Sequence, residues 1–268
     1  MMDYFPKRIV CLTDETTEML YILGEQDRIV GVSGFSTRPP QVRQEKPKVS
    51  AFTSAKIDKI LALKPDLVLG FSDLQADIAA NLAKAGVQVH LFNQRSVPEI
   101  FSMIAVLGAL VGASDKAHAW IAQQQAKLDF IQQQAKEFKQ KPVVYFEEWH
   151  DPIITGIQWV SELITIAGGQ ECFPELSNES LAKKRIVADP LEVVKRNPDI
   201  IIGSWCGKKF HPHKVGERPG WENVNAVVNQ QVYEIKSAHI LQPGPAALTD
   251  GLDQVVKIIQ NWQAAEQA

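Results

Sequence analysis

"LALKPDLVLGFSD" occupies residues 61–73, and "VVKRNPDIIIGSWC" occupies residues 193–206. Both place apolar helical positions before Pro-Asp, then a short apolar run closed by glycine. Pro65-Asp66 and Gly70 in the first answer to Pro198-Asp199 and Gly203 in the second, 133 positions further on. In each copy a helical stretch (Ile57, Ile60, Leu61, Leu63; then Leu191, Val193, Val194) runs into a proline. Proline cannot continue a helix and biases its predecessor towards extended backbone, so the helix is predicted to stop there. Aspartate then opens "LVLG" or "IIIG", the uninterrupted apolar run of a strand buried on both faces in a mainly parallel sheet.

One element earlier the duplication continues. "RIVCLTDETTEMLYILG" (8–24) and "VVYFEEWHDPIITGIQWVSELITIAGG" (143–169) each read as strand, polar loop, amphipathic helix and a glycine placed to accept left-handed backbone after the helix. Aligned on Gly24 and Gly168, Glu18 falls on Glu162, and the second copy carries a loop roughly ten residues longer. Two α/β lobes with mainly parallel, Rossmann-like sheets follow.

Between them, Ala117, Trp120, Ile121, Leu128, Ile131, Ala135 and Phe138 keep helical spacing, with Ser114 as an N-cap and Pro142 as a stop. The chain is therefore predicted to divide into an N-terminal α/β lobe over 1–112, one long linking helix over 113–141, and a C-terminal α/β lobe over 142–268. The apolar stripe on that helix implies restricted motion of the lobes.

The composition, 45% hydrophobic and 22% charged, is that of a water-soluble globular chain. A net charge of −3 offers no basic field for nucleic acid, and no run approaches a membrane span. Nucleic-acid binding and membrane insertion are excluded, and a monomer is expected. "MMDYFPKRIVCLTDE" has no secretory-signal pattern, and Cys11, Cys172 and Cys206 are odd in number. As it stands the sequence is predicted to be cytoplasmic with free cysteines. A signal removed from the chain would instead make the protein periplasmic.

The order of "RIVCLTDETTEMLYILGEQDRIVGVSGFSTRPPQ", "KVSAFTSAKIDKILALKPDLVLGF", "LAKAGVQVHLF", "NPDIIIGS" and "WENVNAVVNQQVYEI" resembles the helical-backbone solute-binding proteins of ABC importers. The cobalamin-binding and ferri-siderophore-binding receptors are the nearest in kind. The resemblance implies a non-catalytic receptor that captures a bulky metal chelate in a cleft between two lobes, a corrinoid such as cobalamin first and a siderophore next. It implies an ABC permease as partner and no cofactor, with the chelate as cargo.

In open parallel sheets ligands sit beyond the carboxyl ends of the strands. The loops there include "TDET" (13–16), "GFSTRPP" (34–40), "AFTS" (51–54), "FSDLQ" (71–75), "EEWHDP" (147–152), "SWCGKKFHPH" (204–213) and "KSAHILQPGP" (236–245). Phe35, Phe52, Phe71, Trp149 and Trp205 are expected to form an aromatic wall. Arg38, Ser72, Asp73, Glu147, Glu148, Lys208, Lys209, Lys236 and Gln242 are expected to meet polar substituents. On this reading Trp205 can be trimmed with little loss of stability.

Three other readings use the same residues. A protein of this fold could bind or sense its ligand inside the cell, uncoupled from import. His211 and His213, with Cys206, have a spacing compatible with zinc. Glu147 with Glu148, or Cys206 with a histidine, could support hydrolysis, although no G-x-S-x-G, P-loop or G-x-G-x-x-G is present. Where cobalamin receptors carry a more aromatic, arginine-containing loop, this chain has Ile240, Leu241 and Gln242.

Overall fold

The computed structural model describes residues 4–266. The chain forms two compact units, one built from the residues up to Gln94 with Pro98–Gln123, the other from Arg95–Val97 with Gln124 onward.

The first unit is a five-stranded sheet of β1 (Ile9–Cys11), β2 (Ile29–Ser33), β3 (Lys48–Ser50), β4 (Leu67–Phe71) and β5 (Val89–Phe92). Its order is β3-β2-β1-β4-β5 and every pairing is parallel. All five residues of β4 are buried, as an apolar run with helices on both faces requires. Val10, Leu12, Val49, Ile60, Val68, Ile78 and Leu82 form one of its buried clusters.

The second unit contains β6 (Val143–His150), β7 (Ile153–Thr155), β8 (Gln170–Glu171), β9 (Ile200–Gly203) and β10 (Val232–Glu234). The strand order is β10-β9-β6-β7, with β8 also on β6. Only the β6–β7 pair is antiparallel. The longer loop of the second copy is thus this hairpin.

The duplicated Pro-Asp has a physical cause in both units. The Asp66 carboxylate accepts from the N–H groups of Lys7 and Arg8 at 2.7 and 2.9 Å, and Asp199 accepts from Val143 N–H at 2.9 Å. Each aspartate therefore clamps the start of the neighbouring strand, β1 or β6. The residue before each proline departs from expectation: Lys64 (φ 49°) and Asn197 (φ 45°) are left-handed, not extended. Their N–H groups donate to the last helical carbonyls, Leu61 in one case and Val193 and Val194 in the other. Satisfying those carbonyls while reversing the chain within one residue calls for left-handed backbone. Gly24 (φ 76°) and Gly168 (φ 94°) do the same after their helices, as predicted.

The linking helix runs Ser114–Lys136, about 35 Å at 1.5 Å per residue, and the boundary between units falls inside it. Ala117, Leu128, Ile131 and Ala135 are buried along its apolar stripe. Among the described residues no helix is long and apolar enough to cross a membrane. All three cysteines are free.

Candidate functional site

In the first unit the carboxyl edge is organised by an acid and an amide. Asp14, at the start of the helix Asp14–Ile22, accepts from the Thr37 N–H and hydroxyl and from Arg38 N–H at 3.0–3.2 Å. This fixes the loop that carries Phe35. Arg38 in turn donates Nε–H to Glu18 at 2.8 Å. Burial raises the Asp14 carboxyl above its usual range, opposed by those donors. Gln75, fully buried, accepts from Phe71 N–H at 3.0 Å and donates to the carbonyls of Leu12 and Phe52 at 3.4 and 2.8 Å. One amide thereby ties the ends of β1 and β4 to the Phe52 loop.

On this frame Phe35 is 62% exposed and Phe52 36%. Phe71, 5% exposed, and Ser72 are buried, so neither stands open as a ligand wall. Ser72, with φ 62°, accepts from Leu74 N–H through its hydroxyl and shapes the turn after β4. Asp73 is exposed in the same turn. The buried hydroxyl oxygens of Ser36 and Ser50, beyond β2 and at the end of β3, have no hydrogen-bond partner. A polar groove lined by Tyr21, Gln26, Asp27, Gln41, Glu45 and Lys46 is formed by the C-terminal part of the Asp14–Ile22 helix and the segments leading into β2 and β3. It therefore belongs to the amino edge of the sheet, away from these loops.

In the second unit the edge is aromatic. Glu147 is fully buried, and both of its oxygens are taken: Arg218 donates to them at 2.6 and 2.8 Å, Trp205 Nε1–H at 3.0 Å and the Tyr145 hydroxyl at 3.0 Å. Glu147 and Tyr145 stand two apart on β6 and so share a face. Burial, then the Glu147 charge, pushes the Tyr145 phenol well above its usual range. The Arg218 guanidinium also lies 4.6 Å from the centre of the Trp221 ring. Glu148, the next residue, pairs instead with Arg185, itself 1% exposed. Glu148 stays half-buried beside Arg185, while Glu147, expected to meet polar substituents, is instead held in an internal ion pair. The reason is that a buried carboxylate without a cation is too costly to keep.

Trp205 is 8% exposed and packs in the cluster of Tyr145, Phe173, Phe210 and Trp221. It is a core residue, which corrects the expectation that it can be trimmed without loss of stability. The β6–β7 register slips between Glu147 and Trp149, a bulge that re-aims the end of the strand. Beyond it His150 stacks on Trp205 at 4.1 Å and 26°, with Trp149 5.0 Å away on the His150 ring. Lys208 lies 4.9 Å from the centre of the Trp149 ring. Lys208, Lys209 and Lys236 are exposed, and Gln242 is half-buried.

His211 and His213 pack edge to face at 5.7 Å, and among the described residues no three His, Cys, Asp or Glu side chains are grouped to hold a metal ion. The Cys206 thiol is pushed up, by desolvation and then by Glu148. Sequence reasoning missed Gln75, Arg218, Arg185 and Tyr145. The adjacent pair Glu147-Glu148 was the available signal. Two consecutive strand residues point to opposite faces, and the buried one, Glu147, then demands a cation.

Comparison with known proteins supplies the family. An uncharacterized ABC transporter substrate-binding lipoprotein, YvrC of Bacillus subtilis, is 30% identical over 269 residues, covering 95% of this chain and 80% of that protein. The crystal structure of the periplasmic vitamin B12 binding protein BtuF of Vibrio cholerae is similar with a TM-score of 0.76 at 25% identity, covering 96% and 98% of the two chains. A possible iron-binding periplasmic solute-binding protein of Staphylococcus epidermidis shares the fold, with a TM-score of 0.80 at 23% identity over 95% and 98%. The duplicated α/β plan, these similarities and the match of the family model to residues 9–239 lead to one conclusion: the chain belongs to the periplasmic binding protein family.

Proposed function

We propose that this protein is a non-catalytic solute-binding protein that captures a bulky metal chelate, a corrinoid before a siderophore, and delivers it to an ABC permease outside the cytoplasmic membrane. The observation that carries this reading is the pair of exposed rings, Phe35 and Phe52, held at the carboxyl edge by the rigid Asp14 and Gln75 frames. Exposed aromatic area on a fixed backbone suits a large ligand with an apolar face, because little conformational entropy is lost on contact. The vitamin B12-binding relatives support the corrinoid over other chelates.

The test is mass spectrometry of the small molecules released from gently purified protein, with tryptophan fluorescence during titration of cyanocobalamin. A retained corrinoid and saturable quenching are expected. A retained siderophore would move the cargo to the second class, and catalytic turnover of a retained molecule would overturn the receptor reading.

A further inference from the structure

Around Trp149 and His150, charges are unevenly matched. Glu147 is neutralised by Arg218 and Glu148 by Arg185, in pairs of 2.6 Å. Among the described residues no ion pair engages Lys208, whose ammonium group lies over the Trp149 ring. Asp151 is the remaining nearby carboxylate, and its backbone carbonyl accepts from Trp149 Nε1–H. Of the charges His150 feels, Lys208 is the largest, ahead of Glu147, Arg218 and Asp151. Lys208 therefore places a cation where the aromatic shelf meets solvent.

His150 adds a directed donor. One face of its ring is set against Trp205, which the Glu147 hydrogen bond holds in place. Its Nδ1 is buried without a partner. A buried orphan N–H is rarer and costlier than a buried lone pair, which puts the proton of the neutral ring on Nε2. Burial and then Lys208 hold the ring below its usual pKa, in keeping with a neutral imidazole. The same arrangement disfavours metal ligation through Nε2, since that would move the N–H to the buried, unpartnered nitrogen.

We propose that Lys208 and the Nε2–H of His150, at the rim of the Trp149 shelf, form a subsite for an ionised oxygen group on the cargo. Resting on the corrinoid reading above, the group is the phosphodiester of the nucleotide loop, which cobalamin carries and cobinamide lacks. A carboxylate on a porphyrin-type chelate has the same chemistry.

Calorimetric titrations with cyanocobalamin, dicyanocobinamide and hemin separate these cases, on the wild-type chain and on Lys208→Met and His150→Phe. The first variant changes an exposed side chain, and the second keeps a ring against Trp205 while deleting the donor. Cobalamin is expected to bind roughly tenfold or more tightly than cobinamide, and each variant to abolish most of that preference while leaving cobinamide affinity unchanged. His150→Gln, which retains a donor, should restore part of it. Hemin binding with the same dependence on Lys208, and no corrinoid binding, would keep the subsite and refute the corrinoid reading. Equal affinity for cobalamin and cobinamide, or equal losses for both in the variants, would overturn the subsite and leave the receptor intact. Binding of none of the three would overturn both.

Discussion

After Gly70 the first unit fills the space at its strand end with an amide, and after Gly203 the second fills the same place with a ring. A Cβ on Gly70 would lie 2.6 Å from Gln75 Oε1, whereas one on Gly203 would lie 2.0 Å from the Phe210 ring. Gln75 ties backbone to backbone with neutral hydrogen bonds. Its counterpart region in the second unit uses an ion pair, Glu147 with Arg218, wrapped in Tyr145, Trp205 and Trp221. One α/β plan thus supports two kinds of edge. The neutral Gln75 frame leaves Phe52 outside, as the Asp14-held loop leaves Phe35, and the charged frame draws its aromatics in.

If that contrast is right, the largest loss should come from breaking the charged frame. Glu147→Ala leaves the half-buried Arg218 guanidinium, the Trp205 Nε1–H and the Tyr145 hydroxyl without their acceptor and is expected to cost about 3–5 kcal/mol, read by denaturant unfolding. Trp205→Ala should fall in the same range of about 3–5 kcal/mol, as an aromatic removed from a core does. A small cost for either would return Glu147 and Trp205 to the role of surface contacts. Gln75→Ala, the corresponding cut in the neutral frame, should cost about 1–3 kcal/mol.

Titration probes a property the two units share. Glu15 in the first and Glu171 in the second are both raised from 4.5 to about 7, chiefly by burial. Folded-state values above the unfolded ones mean the folded chain holds more protons between those limits. Stability contributed by the protonated acids is therefore full below about pH 4.5 and is lost as pH rises towards 7. Relative to wild type, a Glu15→Gln/Glu171→Gln chain should show a flatter fall in melting temperature between these limits. An unchanged slope would contradict the assignment. The smallest stability effect belongs to Phe35→Ala, within about 0.5 kcal/mol, because the ring is already in water.

Legibility in the sequence followed the same division. The Pro-Asp repeat, the apolar strands and the glycines after helices are local patterns, and they located β4, β9, Gly24 and Gly168 because backbone geometry there depends on a few consecutive residues. The left-handed Lys64 and Asn197 escaped because the need to satisfy helix-end carbonyls outweighed the usual bias before proline. Loop position alone grouped Phe35, Phe52 and Phe71, and it did not separate the two exposed rings from the buried Phe71. Arg218 lies 71 positions from Glu147 and Arg185 lies 37 from Glu148, and no periodicity announces pairs at such separations. Burial of Trp205 followed from those pairs, so it was hidden for the same reason.

The most direct test of the receptor account is calorimetric titration of cyanocobalamin into the wild-type chain and into Phe35→Ala, with melting curves of both. The account predicts one corrinoid per wild-type chain and affinity weakened by about 1–3 kcal/mol in the variant at an unchanged melting temperature. Absence of binding by the wild-type chain, or full affinity in the variant, would contradict it.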